Sequence, residues 1–347
     1  MIETIDKEED KHLLEAAFYE KPFYFSYSSL NRLLLAPNIF YKEYVLKEKE
    51  IRTEKHLLEG TLIHFLLLEG KKFDDKFIIT PETLPGTNSM LVANEVFKTY
   101  EALIKEDPSR TDLQLGDFEH EILDALEAIN LHQAVKDTAK RIAKIVEPRT
   151  EAYFEYLKVK DSKEIIDSTM LDKCSLAVEK IKSNEDICKL LGINREADGV
   201  NFGVYNEIPL QMELKDYPFG LKGIIDNMTI DTKEKTININ DFKTSGKSLS
   251  DFKDTVEYWK YWLQAVVYIK LAKEFFKEVI KDDPKWTVNF RFVVFDKYDH
   301  LYAYPVSEST LKDWEFNYKD VLESARYHYE AKDFTLPYEF AVGNANL

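Results

Sequence analysis

The chain has 347 residues, 44% of them hydrophobic, with 63 Asp and Glu against 47 Lys and Arg and a formal net charge of -16. That length supports a substantial core in one elaborated domain or two smaller ones, and the acidic balance disfavours a protein that coats nucleic acid by bulk attraction, though not one with a local basic channel. Two cysteines, Cys174 and Cys188, are too few for a disulfide framework, a four-cysteine zinc site or a four-cysteine iron-sulfur cluster, and are expected to be reduced and buried.

The opening MIETIDKEEDKHLLE is acidic and lacks the basic-then-apolar order of a secretory signal. No apolar run approaches membrane-spanning length, so a cytoplasmic protein without a membrane partner is expected. Residues 28–48 read as two short helices, with Ser28 or Ser29 as N-cap and a break at Pro37. Residues 54–70, EKHLLEGTLIHFLLLEG, have the density of a buried helix closed by Gly70, and Gly60 would let a backbone or ligand approach one turn before His64.

From about Gly86 to Val146 the chain is charged with apolar spacings near 3.6, a helical elaboration. Strand patterns follow at EAYFEYLKV (151–159), GVYNEIPLQMEL (203–214), a hairpin of 221–230 with 236–243, and VNFRFVVFDK (288–297) paired with HLYAYPV (300–306). Residues 254–280 read as one strong helix, 313–331 as an amphipathic helix, and PYEFAVGNANL as a tail. This order predicts an α/β fold with a mixed central β-sheet flanked by helices and a helical insertion, divided as 1–85 (carrying His64), 86–165 and 166–347.

In the hairpin, antiparallel counting about Lys233 and Glu234 puts Asp226 opposite Asp241. Alternation then gives Ile224, Asp226, Met228 and Ile230 one face with Ile237, Ile239, Asp241 and Lys243. Opposed carboxylates on a half-buried face need positive charge between them, and a divalent cation such as Mg²⁺ supplies it. Lys243 would bind a scissile phosphate or polarise the attacking water; the plainer reading is a surface hairpin with an ordinary Asp241–Lys243 ion pair.

Glu207 falls on the Asp226 side if KDYPFG is the connecting turn, with Glu213 its competitor as a third carboxylate. Gln264 and Tyr268 share a helix face, either as a polar edge turned toward something specific or as the border of a core stripe. His64, alone on an apolar helix, reads by itself as a hydrogen-bonded core residue. Lys215, Lys222, Lys247 and Lys253 gather around Lys243 in sequence, as a local groove or as solvated scatter. TSGKS lacks the first glycine of a P-loop, since position 241 is Asp, and no H-E-x-x-H, G-x-S-x-G or glycine-rich dinucleotide turn is present.

Taken in order, GTLIH, an E-x-P-L strand, KGIID, DFKT and Q-x-x-x-Y resemble the PD-(D/E)XK nuclease superfamily. Within it they resemble the RecB-like branch that includes the RecE-type exonuclease (exodeoxyribonuclease VIII) of phages and prophages. SYSSLNRLLLAPNIFY resembles the opening of those proteins, and the likeness runs over about 26–75 and 170–306. It implies metal binding by Asp226, Asp241, Glu207 and His64, with Lys243 handling the water, in a D-x-K form of the signature. Gln264 and Tyr268 would support the lysine and contact DNA near the cut, joined in DNA binding by Lys247.

The implied activity is Mg²⁺-dependent, or Mn²⁺-dependent, hydrolysis of linear duplex DNA from the 5′ end, leaving 5′ phosphates and 3′ single-stranded tails for phage-type recombination. The implied partners are DNA, a single-strand annealing protein and further copies in a ring-shaped homo-oligomer, in the cytoplasm of a bacterial host or phage-infected cell. Alternatives are a single-strand or end-processing nuclease of the same superfamily, or a catalytically inactive DNA-binding or assembly module. The intact acid, acid and lysine set speaks against the last, and the cysteine count against iron-sulfur relatives.

Overall fold

The computed structural model describes residues 7–48, 54–193, 201–281 and 283–344. The first six residues of the acidic opening and the last three of the C-terminal tail lie outside the described residues. The chain forms two compact units, one of Met1–Glu69 with Ala177–Leu347 and one of Gly70–Leu176.

The first unit runs α1 (Lys7–Glu20), β1 (Tyr24–Phe25), α2 (Tyr27–Leu35), α3 (Lys55–Leu68), α4 (Glu185–Leu191), β2 (Phe202–Glu213), β3 (Gly220–Asp231), β4 (Thr236–Ser245), α5 (Phe252–Tyr258), α6 (Tyr261–Phe275), β5 (Thr287–Asp296), β6 (Leu301–Pro305) and α7 (Glu308–Ala331). Six strands make one mixed sheet in the order β1-β3-β4-β5-β6, with β2 antiparallel along the other edge of β3. The α/β expectation is therefore met. Because β4 and β5 are parallel, the chain must cross over between them, and α5 and α6 do so. Leu263, Val266, Val267 and Ile269 of α6 pack on Ile237, Ile239, Phe290 and Phe292 of the sheet.

The edge of β3 facing β4 is shared. It pairs with β1 at Gly220 and Leu221, and with β4 only from Asn227↔Asn240 to Asp231↔Thr236. Between these stretches the two strands diverge into a fork, and Asp226 and Asp241 are the first residues past its base.

Alternation fails at the same place. Leu221 and Ile225 join the α6-facing core, as do Met228 and Ile230, whereas Ile224 is 52% exposed. On β2, Tyr205 and then Ile208, Leu210 and Met212 line that core. Register is unbroken across the change, with Asn206↔Asn227 followed by Ile208↔Ile225. Both strands thus turn over at Glu207 and Asp226, and Glu207 has a left-handed backbone (φ 49). The expected grouping of Ile224 with Met228 and Ile230 is corrected accordingly.

Other expectations give way to local chemistry. Residues 151–159 are helical, within Pro148–Val159, because Pro148 starts the helix and Thr150, Phe154 and Leu157 share a buried helical face that strand alternation had mimicked. The N-cap of α2 is Ser26, not Ser28 or Ser29, in a reciprocal capping box with Ser29. The helix read over 254–280 is interrupted at Lys260 (φ 53), and Tyr338–Ala341 in the supposed tail forms a helical turn.

The second unit has its own core, in which Phe97, Tyr100 and Phe118 pack their rings on Phe154 and Val96, Ile122 and Leu126 are buried in the same cluster, with the helices Thr87–Glu106 and Glu119–Ala128 supplying most of it. A two-stranded parallel pair, Phe77–Ile79 with Glu164–Ile166, also belongs to this unit. Cys174 and Cys188 are both buried, with no disulfide between them. No helix among the described residues is long and apolar enough to cross a membrane.

Candidate metal centre

Helix α3 delivers His64 to the fork. It buries Leu62, Phe65 and Leu67, and it can lie close against β4 because a Cβ on Gly60 would come within 2.7 Å of Thr244 Oγ1. His64 Nε2 lies 3.1 Å from Asp226 Oδ2 and its Nδ1 lies 3.0 Å from Glu207 Oε1. Asp226 Oδ2 also accepts the Phe242 backbone N–H at 2.9 Å, a bond that takes the place of the ladder where the strands part.

Asp241 is fully buried, with Lys243 Nζ 2.5 Å from its Oδ2. Its Oδ1 has no hydrogen-bond partner among the described residues. The Lys243 ammonium sits 5.0 Å from the centre of the Tyr261 ring, a cation–π contact that helps hold the charge in a partly desolvated position.

The titration behaviour follows from this crowding. Burial alone would lower the His64 pKa, but the hydrogen bonds and charges of Asp226 and Glu207 outweigh it and lift the imidazole to about 10. Burial pushes Asp241 up to about 7; Lys243 opposes the shift and the Asp226 charge adds to it. For Lys243 burial favours the neutral amine, but Asp241 and Asp226 overcome this and hold it as an ammonium above its ordinary value. Lys243 therefore acts as a donor and a positive charge.

The donor set fits a divalent cation. His64, Glu207 and Asp226 each offer one ligand atom, all within 4.8 Å of one another. Asp241 lies outside that triad, yet its buried, unpartnered Oδ1 requires a positive or hydrogen-bonding partner. Glu213 does not compete with Glu207: it is exposed at the far end of β2, opposite Gly220.

Gln264 Nε2 donates to Tyr268 Oη at 3.0 Å, both side chains being buried. The Tyr268 ring covers Gly223, where a Cβ would come within 2.8 Å of it. Burial, reinforced by the charges of Asp226 and Asp241, keeps the Tyr268 hydroxyl protonated. Lys247 is exposed in the loop after β4.

The aromatic ring against the lysine is Tyr261, a residue sequence reasoning had not singled out. It closes the run Tyr258-Trp259-Lys260-Tyr261, and Tyr27 Oη and Asn31 Nδ2 both donate to the Trp259 carbonyl where the helix breaks. Tyr258 and Trp259 are left 73% and 48% exposed. That density of aromatics around a lysine was the available signal. Ser26, Tyr27, Gln211, Lys222, Ile224 and Tyr268 line an adjoining cleft of about 570 Å³.

A fork of paired acids between two inner strands of a mixed sheet, with a lysine two residues beyond the second acid, is an arrangement suited to metal-dependent phosphodiester hydrolysis. Residues 24–332 match the PD-(D/E)XK nuclease superfamily. The chain belongs to that superfamily, whose members generally use divalent metals. It is also similar to a crystal structure of a provisionally assigned exonuclease from Eubacterium rectale, at 11% identity and a TM-score of 0.41, covering 100% of this chain and 94% of the other. That likeness is too loose to carry a residue or an activity across. No curated protein matches the chain.

Proposed function

We propose that the protein is a metal-dependent deoxyribonuclease of the RecB-like branch and RecE type, digesting one strand of linear duplex DNA from the 5′ end. The observation that carries the nuclease reading is the convergence of Asp226, Glu207, His64 and the Asp241–Lys243 pair on one fork. Mg²⁺ or Mn²⁺ bound there would supply a water of lowered pKa and charge for the phosphate. The carboxylate oxygens of the set suit Mg²⁺ and Mn²⁺.

The chain's own groups account for the rest. Asp226, Glu207 and His64 would hold the cation, His64 giving up the proton it carries in the metal-free site, and Asp241 adds a further buried carboxylate beside them. Lys243 donates to a non-bridging phosphate oxygen or to the incoming water. The P–O bond to water forms, the bond to the 3′ oxygen breaks, and that oxygen leaves with a proton, giving a 5′ phosphate and a 3′ hydroxyl. Direction, duplex preference, the ring-shaped homo-oligomer, the annealing partner and the cytoplasmic, phage-type role rest on the sequence resemblance alone.

A single-strand or end-processing nuclease is the second reading. It is favoured by Tyr258 and Trp259, whose exposed rings suit stacking on unpaired bases. Linear duplexes labelled at the 5′ or 3′ end, matching single strands and closed circles, each with Mg²⁺, Mn²⁺ or EDTA, separate these. Release of 5′ label from linear duplex alone supports the first reading, and preference for single strands supports the second. No cleavage of any substrate with either metal would remove both.

A further inference from the structure

Next in sequence to the acids on β2, β3 and β4, and on the face of β4 opposite Asp241, Asn206, Asn227, Asn240 and Arg291 form a straight row across β2, β3, β4 and β5. Their registers are Asn206↔Asn227, Asn227↔Asn240 and Asn240↔Arg291. Their side chains make a continuous hydrogen-bonded chain. Arg291 Nη1 donates to Asn240 Oδ1 at 3.2 Å, and Asn240 Nδ2 donates to Asn227 Oδ1 at 2.6 Å. Asn227 Nδ2 then donates to Asn206 Oδ1 at 2.7 Å, and Asn206 Nδ2 to the Leu68 carbonyl at 3.1 Å. Asn240 and Asn227 also donate to the Leu190 and Leu191 carbonyls at the end of α4.

Every amide points the same way, and the direction is fixed from both ends. A guanidinium can only donate, and a main-chain carbonyl can only accept. Asn227 and Asn240 are fully buried, where such a chain polarises cooperatively and a break leaves polar atoms unsatisfied.

We infer that this amide chain positions the metal ligands, with Asn227, Asn240 and Arg291 as positioning residues for the centre proposed above. The placement supports this at three points. Asn227 and Asn240 are the last ladder pair, so their 2.6 Å side-chain bond clamps the base of the fork and sets how far Asp226 and Asp241 stand apart. Asn206 precedes Glu207, whose left-handed backbone must be held against relaxation. The carbonyl bound by Asn206 belongs to Leu68, one turn beyond His64, so the same chain fixes the seat of α3 against the sheet.

The inference rests on the metal-site reading, and its test separates the two. Mn²⁺ affinity is measured by calorimetry on wild type, Arg291→Met, Arg291→Lys, Asn206→Ala and Asn227→Leu, with folding followed by circular dichroism. Groups that orient metal ligands cost about 10- to 100-fold in affinity when removed. The expected result is a loss of about tenfold in Mn²⁺ affinity for Arg291→Met and Asn206→Ala, recovery for Arg291→Lys, and a larger metal requirement for cleavage with kcat at saturating metal within about threefold. Asn227→Leu shows the largest loss or fails to fold, and in the latter case the two milder variants decide. Wild-type Mn²⁺ affinity in folded Arg291→Met and Asn206→Ala would overturn the inference and leave the nuclease reading intact. Wild type that binds Mn²⁺ but cleaves no DNA would remove the nuclease reading and leave the amide chain's role standing.

Discussion

Glu207, Asp226 and Asp241 are immediate neighbours in sequence of Asn206, Asn227 and Asn240, yet the two rows differ in charge and in hydrogen bonding. The acids are like-charged and crowded, and the Asp241 Oδ1 has no partner among the described residues. The amides are neutral and linked end to end, and the chain closes on main-chain carbonyls. The acid row is left incomplete, as the proposed uptake of a cation would require. The row beside it is complete, so the strain has something rigid to work against.

The most severe way to break this contrast is Asp241→Asn. Nuclease activity should fall by about 10³-fold or more, the scale for losing a group that acts on the reacting centre. The thermal midpoint of the metal-free protein should rise, because a carboxylate whose ionised form is disfavoured by burial and by the Asp226 charge is gone. A lower midpoint would mean that the acid row is a structural element after all.

Next in size, Gly223→Ala would push on the Tyr268 ring, 2.8 Å from the new methyl, and displace the Gln264–Tyr268 pair without touching either row. A fall in kcat of about tenfold is expected, in line with a sub-ångström misplacement near a reaction centre. Unchanged steady-state kinetics would show that this pair serves packing only.

The smallest effect concerns a titrating group outside both rows. His328 on α7 is fully buried, with Nδ1 2.5 Å from the Asp333 carbonyl, and burial holds its pKa below the ordinary 6.5. The folded protein keeps this imidazole neutral where the unfolded chain takes up a proton. Its contribution is therefore present above pH 6.5 and is lost as the pH falls below it. Between pH 7 and 5 the midpoint of wild type should drop more steeply than that of His328→Phe. Parallel curves would put the acid sensitivity elsewhere, with the acid row the first place to look.

Much of the site was legible because the hairpin is local. The count about Lys233 and Glu234 fixes Asn227↔Asn240, and hence Asp226 beside Asp241, over a turn of four residues. His64 was not legible from its own helix, where it reads as a core histidine. Only packing of α3 on β4 brings it between Glu207 and Asp226. The turnover of β2 and β3 was equally hidden, since neither sequence carries an extra residue or a glycine at the point where alternation reverses. The break at Lys260 is decided by Tyr27 and Asn31, far away in the chain, which capture the Trp259 carbonyl.

Composition, periodicity and short-range counting determined an α/β chain with a central sheet and an acid, acid and lysine hairpin, because those properties depend on neighbours within a few residues. Which face each carboxylate presents, how far the fork opens, and what the histidine and the four-strand amide row contact were decided by the tertiary structure. Those contacts join segments from four or more elements, and no local pattern constrains the distance between them.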